Sequence, residues 1–227
     1  MSEVARRLDE VRERIAAACE RAGRDPRSVR LVAVSKTMPA ALVREAMAAG
    51  QTLFGENRVQ EALAKIDETG PGARWHLVGR LQTNKAKHAA GAFELIHGID
   101  DRELADELDR RAAAKATTQA VLVQANLAGE PTKAGAGEDD LLPLVDAVGR
   151  LPHLELRGLM IIPPPEHDPE RTRPWFRRLR ELRDLASSRL GRPLTELSMG
   201  MTDDFEVAIE EGATLVRVGR AVFGERS

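Results

Sequence analysis

The sequence predicts an α/β protein that folds as a single (β/α)8 TIM barrel with an additional N-terminal helix. Short apolar segments rich in β-branched residues alternate with segments of helical periodicity along the whole chain. Strict alternation of this kind is typical of parallel strands that are covered by helices. It repeats eight times in 227 residues, a length that suits one domain over residues 1–227 and is short for two. An open, doubly wound sheet is the alternative arrangement of the same elements.

Each element is predicted from its own pattern. Residues 1–24 carry apolar side chains at helical spacing with acidic residues between them, which predicts an amphipathic helix on the body of the protein. Apolar segments place the strands at residues 31–35, 52–54, 75–78, 94–97, 120–126, 155–161, 196–198 and 214–218. Helical patterns place the other helices at residues 40–49, 57–67, 83–90, 102–114, 139–150, 173–189 and 203–211. Polar, charged and glycine residues occupy the strand ends, including Lys36, Asn57 and His97, and a barrel gathers its functional residues there.

Composition and charge narrow the classes of function. The chain carries 34 Lys and Arg residues against 36 Asp and Glu residues, mixed throughout, so nothing predicts binding to nucleic acid. No apolar run is long enough for a membrane span, and the acidic N-terminal helix argues against a targeting peptide. We therefore expect a cytoplasmic protein with no membrane partner. Cys19 is the only cysteine, which excludes an internal disulfide. No long exposed apolar stripe stands out, so a monomer is expected.

Lys36 is the most informative single residue. It ends an apolar, β-branched segment, where a buried strand would project the amine from the rim of the sheet. Lysine is seldom fully buried without a partner, so this position favours a carboxylate neighbour or a carbonyl compound held as a Schiff base. A lysine whose amine simply reaches solvent is the alternative.

Two segments near the end of the chain predict a phosphate site. Residues 197–203 place Ser198, Gly200 and Thr202 between the seventh strand and a helix, and Gly219 separates the last strand from a short helix. Backbone N–H groups at a helix N-terminus bind anions, and hydroxyl groups add donors. Either segment alone is compatible with an ordinary turn or helix cap. Together they match the place where barrels often hold a phosphate.

A lysine and a phosphate site in one barrel suggest pyridoxal phosphate, since its aldehyde condenses with an amine and its phosphate anchors the other end. Arg217, two residues before Gly219 on the last strand, points to the same side and is placed to reach the ring. An ion pair with Glu210 or Glu211 is the alternative for Arg217. A barrel that binds a sugar phosphate, with Lys36 as its charge partner, is the alternative for the site. No paired-ligand spacing predicts a metal.

Six segments resemble the signature blocks of the pyridoxal phosphate homeostasis proteins, the YggS/PROSC family. They are Val32-Ala-Val-Ser-Lys-Thr37, Phe54-Gly-Glu-Asn-Arg-Val-Gln-Glu61, Trp75-His-Leu-Val-Gly-Arg-Leu-Gln-Thr-Asn-Lys85, Arg157-Gly-Leu-Met160, Leu197-Ser-Met-Gly-Met-Thr-Asp-Asp204 and Val216-Arg-Val-Gly-Arg220. They occur in order across nearly the whole chain. Two departures are Arg58, where the family often has tyrosine, and residues 123–130, where isoleucine and serine are more usual. Neither falls in the lysine or phosphate blocks.

The resemblance implies a barrel like the N-terminal domain of alanine racemase, with pyridoxal phosphate attached to Lys36 as a Schiff base. It implies Arg217 at the pyridine nitrogen, and Asn57 and His76 as lining residues of the cofactor pocket. The implied phosphate contacts are Ser198, Thr202 and the backbone around Gly219 and Arg220. Members of the family are thought to bind, buffer and hand over the cofactor, with apo forms of pyridoxal-phosphate enzymes as the expected recipients.

The absence of tyrosine favours a carrier over a racemase. Racemases of the alanine type use a lysine on one face of the cofactor and, on the other, a tyrosine from a second domain, and this chain has neither the tyrosine nor that domain. A histidine such as His76 could act as a second base, so a racemase or lyase of another kind stays open. Arginine at the ring nitrogen keeps the pyridine unprotonated and weakens it as an electron sink. These features suit reversible cofactor binding without committed turnover.

Overall fold

The structure, a computed structural model, describes residues 2–130 and 133–225. Within them, eight parallel strands close into a barrel in the order of the sequence, so the predicted barrel is confirmed and the open sheet is wrong. The strands are β1 (Arg30–Val34), β2 (Leu53–Glu56), β3 (Arg74–Leu77), β4 (Leu95–Ile99), β5 (Gln119–Ala125), β6 (Leu154–Ile161), β7 (Glu196–Ser198) and β8 (Leu215–Val218). The barrel closes where β8 pairs with β1, with Leu31 opposite Val216 and Ala33 opposite Val218.

The helices of the described residues cover the outside of this barrel. They are α1 (Glu3–Arg21), α2 (Ala40–Ala48), α3 (Val59–Thr69), α4 (Ala86–Ala89), α5 (Arg102–Ala114), α6 (Glu138–Val148), α7 (Arg173–Leu190), α8 (Phe205–Glu210) and α9 (Arg220–Phe223). Helices α2 to α8 each connect consecutive strands, and the short α9 follows β8. No helix in residues 2–130 and 133–225 is both long enough and apolar enough to cross a membrane.

Helix α1 precedes the barrel and packs against α2, α8 and α9. Ser2 caps its start, because the Ser2 hydroxyl accepts a hydrogen bond from the N–H of Ala5 at 3.2 Å. The prediction began at Met1, which lies outside the described residues, and it ran past the end of the helix at Arg21. Gly23, with a φ of 62°, turns the chain away there. The buried face of α1 carries Val4, Leu8, Val11, Ile15, Ala18 and Cys19.

Successive side chains of each strand point to opposite faces of the barrel wall, which produces two apolar layers. One set of side chains faces the helices and forms the main core, whereas the other set fills the inside of the barrel. The inner apolar set is Val32, Val34, Leu53, Val78, Leu95, Ala120, Leu122, Met160 and Leu215. The same alternation turns His76, His97, Ser198 and Arg217 inward, and all four are buried. The barrel interior therefore combines an apolar layer with a polar one.

Several predicted boundaries are wrong, and His97 is the most instructive. Strand β4 continues to Ile99, so His97 lies in the middle of the strand and not at its end. A polar residue inside an apolar strand imitates a strand end in the sequence, although here it faces the barrel interior.

Two helices also begin later than predicted. The predicted helix at 83–90 starts as a 3-10 turn and becomes α-helical only at Ala86. The helix predicted at 203–211 begins at Phe205, because the carboxylate of Asp204 accepts a hydrogen bond from the N–H of Met201 at 2.6 Å and holds a turn there.

Candidate functional site

A cavity of about 720 Å³ opens at the carboxyl ends of the strands. This volume is in the range of small-molecule sites, roughly 300–1,000 Å³. The lining residues are Val34, Lys36, Met38, Asn57, Val78, Gly79, Arg80, Gln124, Lys133, Ala134, Ile162, Met201, Thr202, Asp203, Arg217, Gly219, Arg220, Gly224 and Glu225. Five of them are Lys or Arg and two are acidic, so the cavity favours an anionic ligand.

Lys36 lies on a tight turn directly after β1. The N–H of Met38 donates to the carbonyl of Ser35 at 3.0 Å, which closes the turn with Lys36 and Thr37 at its two central positions. Thr37 has a φ of 64°, a left-handed conformation that is rare for a β-branched residue. The turn directs the chain away from the strand and leaves Lys36 half-buried on the cavity wall.

Glycines shape the wall formed by the end of β7 and the end of β8. Gly200 has a φ of 90°, and a Cβ there would lie 2.6 Å from the Cβ of Ala208, so glycine is required on both grounds. A Cβ on Gly219 would approach a backbone oxygen of β1 to 3.1 Å. The hydroxyl of Thr202 lies 3.5 Å from the N–H of Ala221, so Thr202 and the start of α9 are neighbours on the cavity wall.

Arg217 forms the floor of the cavity from β8. Its side chain is buried, and its guanidinium donates to Oγ of Ser198 at 2.6 Å and to the carbonyl of Ile161 at 2.8 Å. The predicted alternative, an ion pair with Glu210 or Glu211, is wrong, because these two carboxylates bind arginines of the outer helices. Burial lowers the pKa of Arg217 to about 10, so the guanidinium is charged at neutral pH.

A chain of polar side chains continues from Arg217 through the barrel interior. Ser198 Oγ lies 2.8 Å from Nδ1 of His97, and Nε2 of His97 lies 2.9 Å from Nδ1 of His76. On the far side, Nε2 of His76 lies 3.7 Å from a carboxylate oxygen of Glu94. The chain connects the cavity floor with the end of the barrel where the strands begin.

The proton positions in this series of polar side chains follow from the groups at its two ends, Arg217 and Glu94. Arg217 only donates, so the Ser198 oxygen accepts from it and the Ser198 hydroxyl is available to donate to Nδ1 of His97. His97 then carries its proton on Nε2 and donates to His76, whose own Nε2 proton points at Glu94. The opposite order would place a bare nitrogen of His76 against the Glu94 carboxylate, which is unfavourable. Every donor in the chain therefore points away from the cavity.

Burial makes both histidines neutral at physiological pH. Burial is the main reason why the pKa of His97 lies well below its usual value, and the positive charge of Arg217 lowers it further. Burial also lowers the pKa of His76, although Glu94 opposes the effect. A neutral pair is what the alternating donor and acceptor pattern requires.

The structure brings six of the eight predicted site residues to one cavity. These are Lys36, Asn57, Thr202, Arg217, Gly219 and Arg220. Ser198 and His76 are absent from the described lining and lie beneath the floor, in contact with Arg217 and His97. Their direct contact with a cofactor stays a prediction.

Sequence reasoning missed one further group, the buried ion cluster of Glu56 and Lys65 behind the Lys36 turn. Lys65 donates to a carboxylate oxygen of Glu56 at 2.7 Å. The sequence does contain a pattern that indicates this ion cluster. Glu56 follows three buried strand residues, and Lys65 falls on the apolar face of α3 with Val59 and Ala62. Two opposite charges in apolar positions of neighbouring elements predict a buried pair.

Comparison with known proteins places the chain in a family. The model of the alanine racemase N-terminal domain matches residues 7–227. Pyridoxal phosphate homeostasis proteins of Aquifex aeolicus and Pseudomonas aeruginosa are 48% and 47% identical to it. These alignments cover 97% and 100% of this chain, respectively, and 97% of each relative. The chain belongs to the pyridoxal phosphate homeostasis proteins.

Solved structures agree with this family assignment. PipY of Synechococcus elongatus, in a structure with pyridoxal phosphate bound, is 40% identical to this homeostasis protein, with a TM-score of 0.87. The match covers 98% of this chain and 100% of PipY. Alanine racemase of Corynebacterium glutamicum has a TM-score of 0.68 at 18% identity, which is a likeness of fold alone. The homeostasis protein covers 62% of that racemase.

Proposed function

We propose that this protein binds pyridoxal phosphate in the cavity, holds it reversibly on Lys36, and contributes to vitamin B6 balance without turning over a substrate. The observation that carries the proposal is that Lys36, Arg217, Thr202 and Gly219 all line one cavity of suitable size. PipY, a relative matched over nearly its whole length, is described with pyridoxal phosphate bound. We further propose the cytoplasm as its location, a monomer as its state, and apo forms of pyridoxal-phosphate enzymes as its recipients.

The residues present suit this cofactor. When bound, pyridoxal phosphate supplies an aldehyde, which condenses with the Lys36 amine to form a C=N bond and releases water. We assign the phosphate to Thr202 and the backbone at Gly219 and Arg220, where the glycine leaves room for close approach. Arg217 would approach the ring nitrogen from the floor, and Asn57 would line the same cavity beside the cofactor.

The same residues argue against committed turnover. Arg217 is charged and only donates hydrogen bonds, so it could not accept one from a protonated ring nitrogen and would favour the unprotonated ring. The tyrosine that racemases of the alanine type use as a second base is also missing from the chain, and His76 and His97 are paired with each other beneath the floor. Reversible binding is the function that these groups support best.

The test compares transfer with turnover. The protein loaded with pyridoxal phosphate is incubated with a panel of L-amino acids, and optical rotation and keto-acid release are followed. The loaded protein is also mixed with an apo aminotransferase, and recovery of aminotransferase activity is measured. We expect transfer of the cofactor and no sustained change in the amino acids. Repeated turnover of any amino acid would establish the racemase or lyase alternative instead.

A further inference from the structure

The turn that carries Lys36 is strained, and its strain lies next to a buried ion cluster. Thr37 holds a φ of 64° without being glycine or asparagine, and its own hydroxyl donates to the Lys36 carbonyl at 2.6 Å. Backbone strain of this kind persists where surrounding contacts hold it, and it is common at functional sites. The contacts that hold Thr37 are therefore informative about Lys36.

Two residues of helix α3 hold the turn from both sides of Lys36. The carboxylate of Glu61 accepts a hydrogen bond from the N–H of Thr37 at 2.5 Å. The ammonium of Lys65 donates to the carbonyl of Ser35 at 2.5 Å. The peptide groups that flank Lys36 are thus fixed by one acid and one base, which are themselves joined at 2.9 Å.

A third member anchors this pair to the barrel wall. Glu56 at the end of β2 is buried and accepts from Lys65 at 2.7 Å and from the Ser35 hydroxyl at 2.7 Å. Its second carboxylate oxygen is buried and has no hydrogen-bond partner among the residues that the structure describes. Hydrophobic packing alone would not select two acids and a lysine here, since buried charges are unfavourable unless they are paired and hydrogen-bonded.

We propose that Glu61, Lys65 and Glu56, which we name the turn clamp, are positioning residues that fix the backbone of Lys36 for covalent attachment of pyridoxal phosphate. The inference rests on the proposed function. The clamp acts on the peptide groups before and after Lys36, so it sets the direction in which the Lys36 side chain leaves the turn. It lies on the helix-facing side of β1 and β2, and none of its members lines the cavity. Loss of the turn clamp is thus expected to weaken the covalent bond to Lys36. It should leave unchanged the binding of the phosphate by the phosphate wall, which is the part of the cavity lined by Thr202, Gly219 and Arg220.

The test separates covalent attachment from cofactor recognition. Two ligands are titrated into each variant: pyridoxal phosphate, followed by its visible absorption band, and pyridoxine phosphate, which has an alcohol in place of the aldehyde, followed by calorimetry. Glu61→Ala removes the acceptor for the Thr37 N–H, and we expect it to weaken pyridoxal phosphate binding about tenfold. Pyridoxine phosphate binding should stay within about twofold of that of the wild type.

Relief of the strain provides an internal check. Thr37→Gly removes the cause of the strain, because glycine adopts a positive φ without a steric penalty. The double variant Glu61→Ala/Thr37→Gly should therefore recover most of the lost pyridoxal phosphate affinity. Glu107→Ala is the matched control, since it breaks an (i, i+4) pair with Arg111 on α5, away from the cavity, and should change neither affinity. If Glu61→Ala does not fold, Glu61→Gln keeps the volume and removes only the charge, and a smaller loss in the same direction is expected.

The outcomes are distinct. If the wild type gives no visible band with pyridoxal phosphate, the proposed function itself is wrong. If the wild type gives the band but Glu61→Ala binds pyridoxal phosphate as well as the wild type, the turn clamp has no positioning role. Equal losses for both ligands, or no recovery in the double variant, would likewise contradict the proposal.

Discussion

Lys36 and Arg217 meet in one cavity from different environments. Lys36 is half-buried on a turn, whereas Arg217 is buried on a strand and held by two hydrogen bonds. The first residue suits a reversible bond with a carbonyl group, and the second suits a fixed electrostatic contact. Their roles can therefore be separated by substitution.

Replacement of the lysine should remove the bond and keep the recognition. In Lys36→Ala, we expect the visible band with pyridoxal phosphate to be lost, because no amine remains on the turn. The affinity for pyridoxal phosphate should fall to that for pyridoxine phosphate, since the phosphate wall and Arg217 are unchanged. Calorimetry with both ligands measures this. Loss of the folded state, or loss of binding to both ligands, would contradict the assigned role of Lys36.

The buried histidines should make stability depend on pH. Their pKa values are lower in the folded protein than in the unfolded chain, so the unfolded chain binds more protons below the usual histidine pKa of about 6.5. Stability is therefore present above that pH and is lost as pH falls below it, by about 1.4 kcal/mol per pH unit for each histidine that stays neutral.

The substitution His97→Gln isolates this effect. Gln retains hydrogen-bonding groups but does not titrate, so the slope of the free energy of unfolding against pH between about 5 and 6.5 should become shallower by about 1 kcal/mol per pH unit on average. Urea unfolding at several pH values measures the slope. Gln82→Ala, at an exposed position before α4, replaces no titratable group, so it is the control and should keep the wild-type slope. An unchanged slope in His97→Gln would show that His97 is not held neutral.

At the scale of single residues, the locations of residues at strand ends were easier to predict from the sequence than the contacts of residues inside strands. Lys36, Thr202 and Gly219 stand beside turn residues, so local pattern alone places them at the open end of a barrel. The partners of Ser198 and His97 depend on which way each strand side chain points and on the closure of the barrel. Those facts involve residues about a hundred positions apart, 101 for the Ser198–His97 contact, and local periodicity carries no information about them.

Among the elements, helix α1 is expected to stabilise the barrel from outside. Its Leu8 is buried, and the helix packs on α2, α8 and α9, across the seam where β8 meets β1. Leu8→Ala should lower the free energy of unfolding by about 2–5 kcal/mol because a cavity remains. Glu13→Ala, on the exposed face, should change it by less than about 0.5 kcal/mol. Urea unfolding tests both, and equal effects would mean that α1 does not pack as described.

The β7–α8 turn depends on glycine for two separable reasons. Gly200→Ala introduces both a strained φ and a contact of 2.6 Å with Ala208, whereas Gly191→Ala at the end of α7 introduces only the strain, with nothing within 4 Å of the new Cβ. We expect Gly191→Ala to destabilise by about 1–2 kcal/mol. Gly200→Ala should add about 1–3 kcal/mol of overpacking and weaken pyridoxine phosphate binding. Equal stability losses and equal binding in the two variants would contradict the role of the turn as a phosphate wall.

Element type was predictable, whereas boundaries were not. The eight strands and the long helices have clear periodicity, so each was found. The start of α8 depends on the contact of the Asp204 side chain with Met201, which outweighs helical propensity locally, and the helix before β4 begins with a 3-10 turn that periodicity does not reveal. Met201 lines the cavity, so the error at the start of α8 falls beside the site.

At the scale of the whole molecule, the site forms because the barrel closes. The residues that follow β1 are far in the sequence from those that follow β8, yet closure of β8 against β1 brings Lys36 and Gly219 to one cavity. The cavity has an excess of cations, and the charged floor residue Arg217 is connected through Ser198, His97 and His76 to the opposite end of the barrel. This arrangement favours an anionic, aromatic cofactor that is held firmly at its phosphate and reversibly at its aldehyde.

The most direct test of this account is the visible absorption spectrum of the purified protein with pyridoxal phosphate, followed by borohydride reduction and peptide mapping. We predict a yellow protein whose band is lost on reduction and whose pyridoxyl group maps to Lys36. A protein that stays colourless with added pyridoxal phosphate, or a pyridoxyl group on another lysine in place of Lys36, would contradict the account.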